Sequence, residues 1–432
     1  MLVDNGYELR LRAVELAGAG WKTTSVAREL GRSSRWVRKW VRRYENGGEA
    51  GLEDRSRRPK RSPNRFDDTV RGEVLRIRSE LAEHRHANVG AKAIRSRMLR
   101  TRSVDRVPSI ASIKRVLKDA GVTREYRKKH RSDKSILGLP PVTRAGIWQQ
   151  ADWVQDRWLP GGVKYQSLQI SDAGSDMVSS GQHYHRTTYN AVRQLIDQAW
   201  PAMSIPYATG TDNAFARSSH LDIPWTLWVK TLLMFGVEVI VSPPNTLGFT
   251  NHVEYINGLW QDRTINRWHY NTLDELRADT ALFIDWANNE RPILNEDIYG
   301  TAYPAEHVAD IANDLRWLPN GFDLDTYIGP SGTNTLPIAK GRVTFLRHVD
   351  EHHTITIVQH HWPVPDNLPH GALVIAGIDT ATAQLTIRHQ GDIVTRHRYP
   401  MTPATHDPIH PTTPTGLLDH LPPKPPEHGT MS

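Results

Sequence analysis

Between residues 147 and 289, short apolar runs of strand length alternate with amphipathic runs of helix length. Three strand patterns come first, and two more, ending near Asp212 and Ser242, are separated by helical patterns. Three meandering strands followed by such alternation predict a mixed sheet with helices on both faces. This region is therefore expected to form an α/β core.

Three carboxylates lie on the predicted elements of this core. Asp152 lies in the apolar strand IWQQADWV, Asp212 ends the strand YATGTD, and Glu254 lies in the first turn of a helix that begins around Thr250. Three carboxylates held on rigid elements suit a pair of hard divalent cations, which prefer oxygen ligands. The alternative is ordinary surface or helix-capping acids, because any α/β domain has acids at strand ends.

Charge divides the chain into two parts. Residues 1–136 contain 35 Lys and Arg against 17 Asp and Glu, a balance of +18. The rest holds 54 − 35 = 19 basic and 47 − 17 = 30 acidic residues, a balance of −11. A strongly basic module binds polyanions, so the first third is expected to bind nucleic acid.

The first 48 residues show three helical patterns. The third, RWVRKWVRRYEN, follows the N-cap candidates Ser33 and Ser34 and combines an apolar stripe with a basic face. This order is typical of a helix-turn-helix domain, whose last helix enters the major groove. The alternative is a three-helix bundle whose arginine face is only solvated. The predicted DNA contacts are Arg35, Arg38, Lys39, Arg42 and Arg43.

A basic linker and a second helical unit follow. The linker, residues 49–64, has no periodicity and is expected either to lie along DNA or to be merely solvated. Three more helical patterns, the last of them basic, predict a second helix-turn-helix domain. The predicted DNA contacts are Arg57, Arg58, Lys60 and Arg61 in the linker and Lys114, Arg115 and Lys118 in the last helix.

Five short strand patterns between residues 341 and 399, separated by turns, predict a small β-barrel. The Thr-, Pro- and His-rich tail is expected to be disordered. The predicted fold class is therefore multidomain: helical units, a mixed α/β core and an all-β barrel. The predicted domains are 1–48 and 65–135 (helix-turn-helix), 49–64 (linker), 145–300 (core), 335–402 (barrel) and 403–432 (tail).

Composition excludes several classes of site. The chain has no cysteine, which excludes disulfides and thiolate zinc sites. It has no apolar run of membrane-spanning length and no signal-peptide pattern at its start, so no membrane partner is expected. A cytoplasmic, nucleoid-associated location follows as an expectation.

Beside these patterns, the chain resembles the bacterial insertion-sequence transposases of the DDE class, whose catalytic core is similar to that of retroviral integrases. The matching stretches are QADWV, TDNAF, the SPP…NHVEY region, and WANNERP followed by YGTAYP. The resemblance covers nearly the whole chain, and the ordered combination is more specific than any single motif.

The resemblance implies a ribonuclease-H-like integrase core and a metal-binding catalytic triad of Asp152, Asp212 and Glu254. It implies two Mg²⁺ (or Mn²⁺) ions per active site, double-stranded DNA partners (terminal inverted repeats and target DNA), and a homo-multimer on DNA. The implied activity is metal-dependent cleavage at transposon ends and transfer of the 3′-hydroxyl into target DNA.

The chain departs from the family pattern near the triad. Asp212 and Glu254 are separated by 254 − 212 − 1 = 41 residues, a longer interval than is usual, and the extra length is expected in the ARSSHLDIP loop. Ala214 and Asn251 replace usual glycines, and Tyr255 replaces a common arginine. The alternative function is therefore a catalytically inactive, sequence-specific DNA-binding protein related to transposases.

Overall fold

The structure, a computed structural model, describes residues 6–54, 66–123, 142, 144–216, 225–244, 249–293, 303–328 and 336–412. The chain divides into two compact units, Met1–Phe66 and Asp67–Ser432. No helix within these ranges is long and apolar enough to cross a membrane.

The first unit consists of three helices, as predicted: α1 (Gly6–Gly18), α2 (Thr23–Glu29) and α3 (Ser34–Gly47). The Ser33 hydroxyl accepts a hydrogen bond from the Trp36 amide at 3.2 Å and so caps α3. A 3₁₀ turn, Gly48–Leu52, follows. The small core joins the three helices through Ala13, Leu16, Val26, Ala27 and Val37.

The second unit begins with three helices, also as predicted: α4 (Asp68–Glu83), α5 (Ala91–Thr101) and α6 (Ile110–Asp119). Asp67 and Ser109 cap α4 and α6 through their side chains. Sequence patterns suggested a self-contained domain, but these helices share one hydrophobic core with residues 256–287 of the α/β region. They are therefore part of a larger body.

The centre of the second unit is a nine-stranded sheet of order β11-β10-β9-β6-β5-β4-β1-β2-β3, counted over the described residues. Its first five strands are β1 (Trp148–Leu159), β2 (Val163–Asp172), β3 (Val178–His183), β4 (Ala208–Thr211) and β5 (Glu238–Val241). The next four are β6 (Arg342–His348), β9 (Leu373–Asp379), β10 (Gln384–His389) and β11 (Asp392–Arg398). A separate hairpin contains β7 (Thr354–Ile357) and β8 (His360–Pro363).

Helices connect and cover the strands of this sheet. After β3, α7 (Thr188–Gln194) continues through a π-helical turn into α8 (Trp200–Met203), and α9 (Asn213–Ala216) and α10 (Leu227–Met234) follow β4. Next come α11 (Asn251–Arg263), α12 (Leu273–Asn289), α13 (Pro304–Asp310) and α14 (Leu324–Ile328).

The predicted β-barrel is not confirmed. Its strands are present, but β6 pairs in parallel with β5 and antiparallel with β9, so the second half of the sheet continues the first. Local strand patterns predict strands without identifying their partners, because pairing depends on contacts distant in sequence. Here Val239 and Val343 are neighbours across the sheet.

The predicted disordered tail is wrong for its first ten residues. The Ile409 amide donates to the Met234 carbonyl at 2.7 Å, and the Lys340 amide donates to the His406 carbonyl at 2.8 Å. Residues 403–412 therefore pack along the core. Residues 413–432 lie outside the described residues.

A buried carboxylate joins the helices α4–α6 to the core. Asp279 on α12 accepts hydrogen bonds from the Arg85 guanidinium and the Tyr270 hydroxyl, and it lies 3.2 Å from Nε2 of the buried His86. Removing one partner of a buried ionic network leaves the charge of the other partner uncompensated, which strongly destabilises the fold.

We therefore expect Asp279→Ala to reduce the free energy of unfolding by about 3 kcal/mol. Asp285→Ala, on the exposed side of the same helix, should cost less than about 0.5 kcal/mol. Urea unfolding followed by tryptophan fluorescence measures both. Equal losses in the two variants would show that the network does not stabilise this junction.

Candidate active site

Two of the three predicted carboxylates lie on, or directly after, neighbouring parallel strands. β1 and β4 pair with Gln149 opposite Thr209 and Gln150 opposite Gly210. Continuing this register brings Asp152 level with Asp212, just beyond the end of β4. Neighbouring strands are about 4.8 Å apart, so parallel pairing alone makes these two carboxylates neighbours.

Glu254 is positioned by a side chain from the same strand as Asp152. The buried Gln150 accepts hydrogen bonds through Oε1 from the amides of His252 and Val253, at 3.1 and 3.0 Å. These amides belong to the first turn of α11, where N–H groups have no intrahelical partner. Gln150 thus fixes the start of the helix that carries Glu254.

A second contact between α11 and β1 involves Asp152 itself. Asn257, three residues after Glu254, donates through Nδ2 to Oδ2 of Asp152 at 2.7 Å. His252 is held from a third direction, by Ser171 Oγ at 2.9 Å and Asp176 Oδ1 at 2.8 Å. The first two turns of α11 are therefore attached to the sheet on both sides of Glu254.

The electrostatics of Asp152 show that the three carboxylates share one neighbourhood. Burial, together with the negative charges of Asp212 and Glu254, raises the pKa of Asp152 to about 6, against the opposing effects of Asn257 and Arg186. A nearby cation would stabilise the ionised form of a carboxylate whose pKa is raised by burial and by other carboxylates. This is the environment expected of a cation-binding acid.

Among the residues that the structure describes, the Asp212 carboxylate contacts Ala214 and Arg186. Its Oδ1 accepts from the Ala214 amide at 2.9 Å, and its Oδ2 pairs with Nη2 of Arg186 at 3.2 Å. The Ala214 contact uses only backbone, so alanine instead of glycine does not disturb it. Most of the ARSSHLDIP loop lies outside the described residues.

The side chains present suit Mg²⁺ or Mn²⁺ in donor type, because they offer carboxylate oxygens without sulfur. The charge accumulated around Asp152 is the structural observation that agrees with this donor set. Across the described ranges, however, no three His, Asp or Glu side chains are close enough together to enclose an ion. The carboxylates are neighbours but are not drawn into a closed coordination site.

The predicted DNA contacts fall into three groups. Arg35, Arg38, Lys39 and Arg42 are exposed on α3, and Lys114, Arg115 and Lys118 are exposed on α6. Arg43 is half-buried, donates to the Glu53 carbonyl at 2.8 Å and lies 4.4 Å from the centre of the Trp40 ring, so it also supports the fold. Arg57, Arg58, Lys60 and Arg61 lie outside the described residues.

Sequence reasoning missed Gln150, Asn257 and Arg186. Gln150 is two residues before Asp152, on the same face of the strand, and Asn257 is three residues after Glu254, on the same side of the helix. Both spacings indicate from the sequence alone that Gln150 and Asn257 lie close to the predicted carboxylates. No sequence signal indicated Arg186, since it follows β3 in a loop.

We expect Asp152→Asn to raise the free energy of unfolding at about pH 7.5 in EDTA. The folded pKa, about 6, lies above the ordinary 3.8, so the ionised carboxylate destabilises the fold above pH 6. This destabilisation shrinks as the pH falls towards 4. A shift of this size is worth about 3 kcal/mol at most, and about 1–2 kcal/mol is expected after solvent screening.

Asp156→Asn on the same strand is the matched control. Hydrogen bonds from Gln166 and Lys164 hold the pKa of Asp156 below its usual value, so this substitution should bring no gain at neutral pH. Urea unfolding at several pH values distinguishes the two variants. A loss of stability in Asp152→Asn at neutral pH would contradict the predicted sign.

We expect Gln150→Leu to leave the His252 and Val253 amides unpaired and to speed hydrogen exchange in the first turn of α11 about tenfold. Gln149→Leu is the control, because Gln149 is equally buried but bonds to Ser204 and Trp200. It should leave exchange in α11 unchanged. Equal effects of the two substitutions on α11 would refute a specific role for Gln150.

Comparison with protein families finds two overlapping matches in the N-terminal part. Residues 9–60 match a helix-turn-helix domain, and residues 36–117 match a homeodomain-like domain. No curated protein sequence matches the chain.

Solved structures similar to this chain include the HTLV-2 integrase catalytic core domain in complex with magnesium (dimeric form), at 17% identity and a TM-score of 0.28. That match covers 38% of this chain and 99% of the other. The simian T-cell lymphotropic virus intasome in complex with PP2A regulatory subunit B56 gamma matches at 12% identity and a TM-score of 0.32, over 70% and 91% of the two chains. The family matches identify helix-turn-helix and homeodomain-like domains in the N-terminal part of this chain, and the sheet described above gives it a mixed α/β core.

Proposed function

We propose that this protein is a DNA-processing enzyme of the transposase and integrase type, in which Asp152, Asp212 and Glu254 bind two divalent cations. The observation that carries this proposal is the pairing of β1 with β4, which brings Asp152 level with Asp212, while Gln150 and Asn257 attach the helix of Glu254 to β1. The elevated pKa of Asp152, with the charges of Asp212 and Glu254 among its causes, agrees with it. Three carboxylates from two adjacent strands and one attached helix match the donor set of two-metal phosphodiester chemistry.

Each residue has a distinct part in the proposed site. Asp152 on β1, Asp212 after β4 and Glu254 on α11 would hold the divalent cations. Gln150 and Asn257 attach the first turns of α11, which carries Glu254, to β1. Bound Mg²⁺ or Mn²⁺ supplies charge stabilisation to the phosphate and lowers the pKa of an attacking water or hydroxyl.

The helix-turn-helix domains supply DNA binding in this proposal. The exposed residues Arg35, Arg38, Lys39 and Arg42 lie on a capped helix, which is the usual element for the major groove. The DNA would be the terminal inverted repeats and a target duplex. As the resemblance to transposases implies, we also propose a homo-multimer on DNA.

Three observations favour the alternative, a DNA-binding protein without catalysis. Arg186 pairs with Asp212, and the three carboxylates do not enclose an ion in the described residues. An arginine that neutralises a carboxylate can replace a cation electrostatically. The departures at Asn251 and Tyr255, on the helix of Glu254, point in the same direction.

Strand-transfer assays with labelled duplexes from the DNA flanking the coding region test the proposal. In Mg²⁺ or Mn²⁺ the wild type should cleave and join, and Asp152→Asn, Asp212→Asn and Glu254→Gln should each lower the rate by about 10³-fold or more, because each removes a ligand of the ions. DNA affinity should change little.

Asp156→Asn is the control for activity, since it changes a carboxylate on β1 that lies outside the proposed triad. It should retain activity. Tight binding by the wild type without cleavage in either metal would favour the alternative. Full activity in the three triad variants would refute the triad.

A further inference from the structure

Arg347, at the end of β6, carries a buried positive charge. Its side chain is 4% exposed. Its N–H groups donate to the carbonyls of Thr356 (2.7 Å), Ser242 (3.0 Å) and Leu346 (2.7 Å) and to Oδ1 of Asn213 (2.5 Å). All four acceptors are neutral. Of the five N–H groups of a guanidinium, one on Nη2 is left without an acceptor among the described residues.

No described carboxylate compensates this charge. Burial alone lowers the pKa of Arg347 to about 10, without an opposing effect from an acid, so the group remains charged at neutral pH. A buried charge is normally paired, since transfer from water is costly. Arg347 has no such acidic partner among the described residues, and its side chain borders an opening in the protein surface.

That opening is a pocket of about 440 Å³ lined by Arg347 together with Asn213, Pro244, Phe345 and Thr356. Asp350 also lines it, but its carboxylate accepts from the amides of His352 and Thr354 and from the Thr354 hydroxyl, which lowers its pKa. It is therefore committed to the turn before β7.

The strand register places this pocket beside the candidate active site. Thr211 pairs with Val241, and Val241 pairs with Phe345, all in parallel. The ends of β4, β5 and β6 therefore share one edge of the sheet, with Asp212 and Arg347 two strands apart, roughly 10 Å at a spacing of about 4.8 Å. A DNA strand whose scissile phosphate lies at the carboxylates therefore passes close to this pocket.

We propose that Arg347 and this pocket bind a backbone phosphate of the DNA substrate, close to the phosphate at the carboxylates. The inference rests on the proposed function for its choice of ligand. A phosphate oxygen takes the remaining N–H of Nη2 and compensates the buried charge. Asn213 connects the two sites, because it follows Asp212 and accepts from Arg347.

The central test is Thr356→Glu in the full-length protein. Thr356 is exposed and lines the pocket, so the new carboxylate can pair with Arg347 without removing core contacts. Two opposite effects are expected: a higher melting temperature, from compensation of the buried charge, and weaker DNA binding. For one fixed duplex in EDTA, the slope of log affinity against log salt should fall by about 0.9, the value of one phosphate contact.

Thr382→Glu, in the exposed turn after β9, adds the same charge outside the pocket and should leave both the slope and the melting temperature near wild type. Arg347→Gln should lower the slope as Thr356→Glu does, and the double variant should lower it no further. Thr356→Glu keeps the test decisive if Arg347→Gln does not fold.

A salt slope in Thr356→Glu equal to that in Thr382→Glu would overturn the phosphate site, as would an additive loss in the double variant. Binding in EDTA requires neither cations nor cleavage. The strand-transfer assay therefore tests the catalytic triad, and the salt dependence of DNA binding in EDTA tests the phosphate site independently.

Discussion

The candidate site depends most on the two hydrogen bonds by which Gln150 holds the first turn of α11. Strands β1 and β4 fix Asp152 and Asp212 by pairing, but Glu254 lies on a helix that begins beyond residues 245–248, which lie outside the described ranges. A helix start has unpaired amides, and a buried glutamine oxygen from β1 accepts two of them. Gln150, two residues before Asp152, therefore fixes the position of the start of α11 relative to β1.

The end of α12 supports the same arrangement from further away. Asn288 exchanges two hydrogen bonds of 2.9 Å with the backbone of Val178, and the buried Arg291 donates to the Asp176 carbonyl at 2.6 Å. The carboxylate of Asp176 in turn bonds to His252 on α11. The WANNERP stretch thus has a structural explanation: it anchors the turn that contacts α11.

The continuous sheet also changes the interpretation of the C-terminal strands. Because β6 pairs with β5, Arg347 donates a hydrogen bond to Asn213, the residue directly after Asp212. These two residues are more than 130 positions apart in the sequence. A separate barrel would not bring a buried charge to this edge. The helices α4–α6 likewise share a core with α11 and α12, so part of the basic region belongs to the same body as the carboxylates.

The sequence by itself determined the helices of the first 120 residues, the alternating elements of the core, and Asp152, Asp212 and Glu254 as candidate ligands. These features follow from local periodicity, capping residues and charge, all of which depend only on residues close together in the sequence. Tertiary structure decided which strands pair and that residues 342–398 extend the central sheet. It also brought Gln150, Asn257 and Arg186 to the carboxylates and their helix, and Arg347 to the same edge of the sheet. Those contacts join residues far apart in sequence, and a buried polar group reveals its partner only when the chain folds around it.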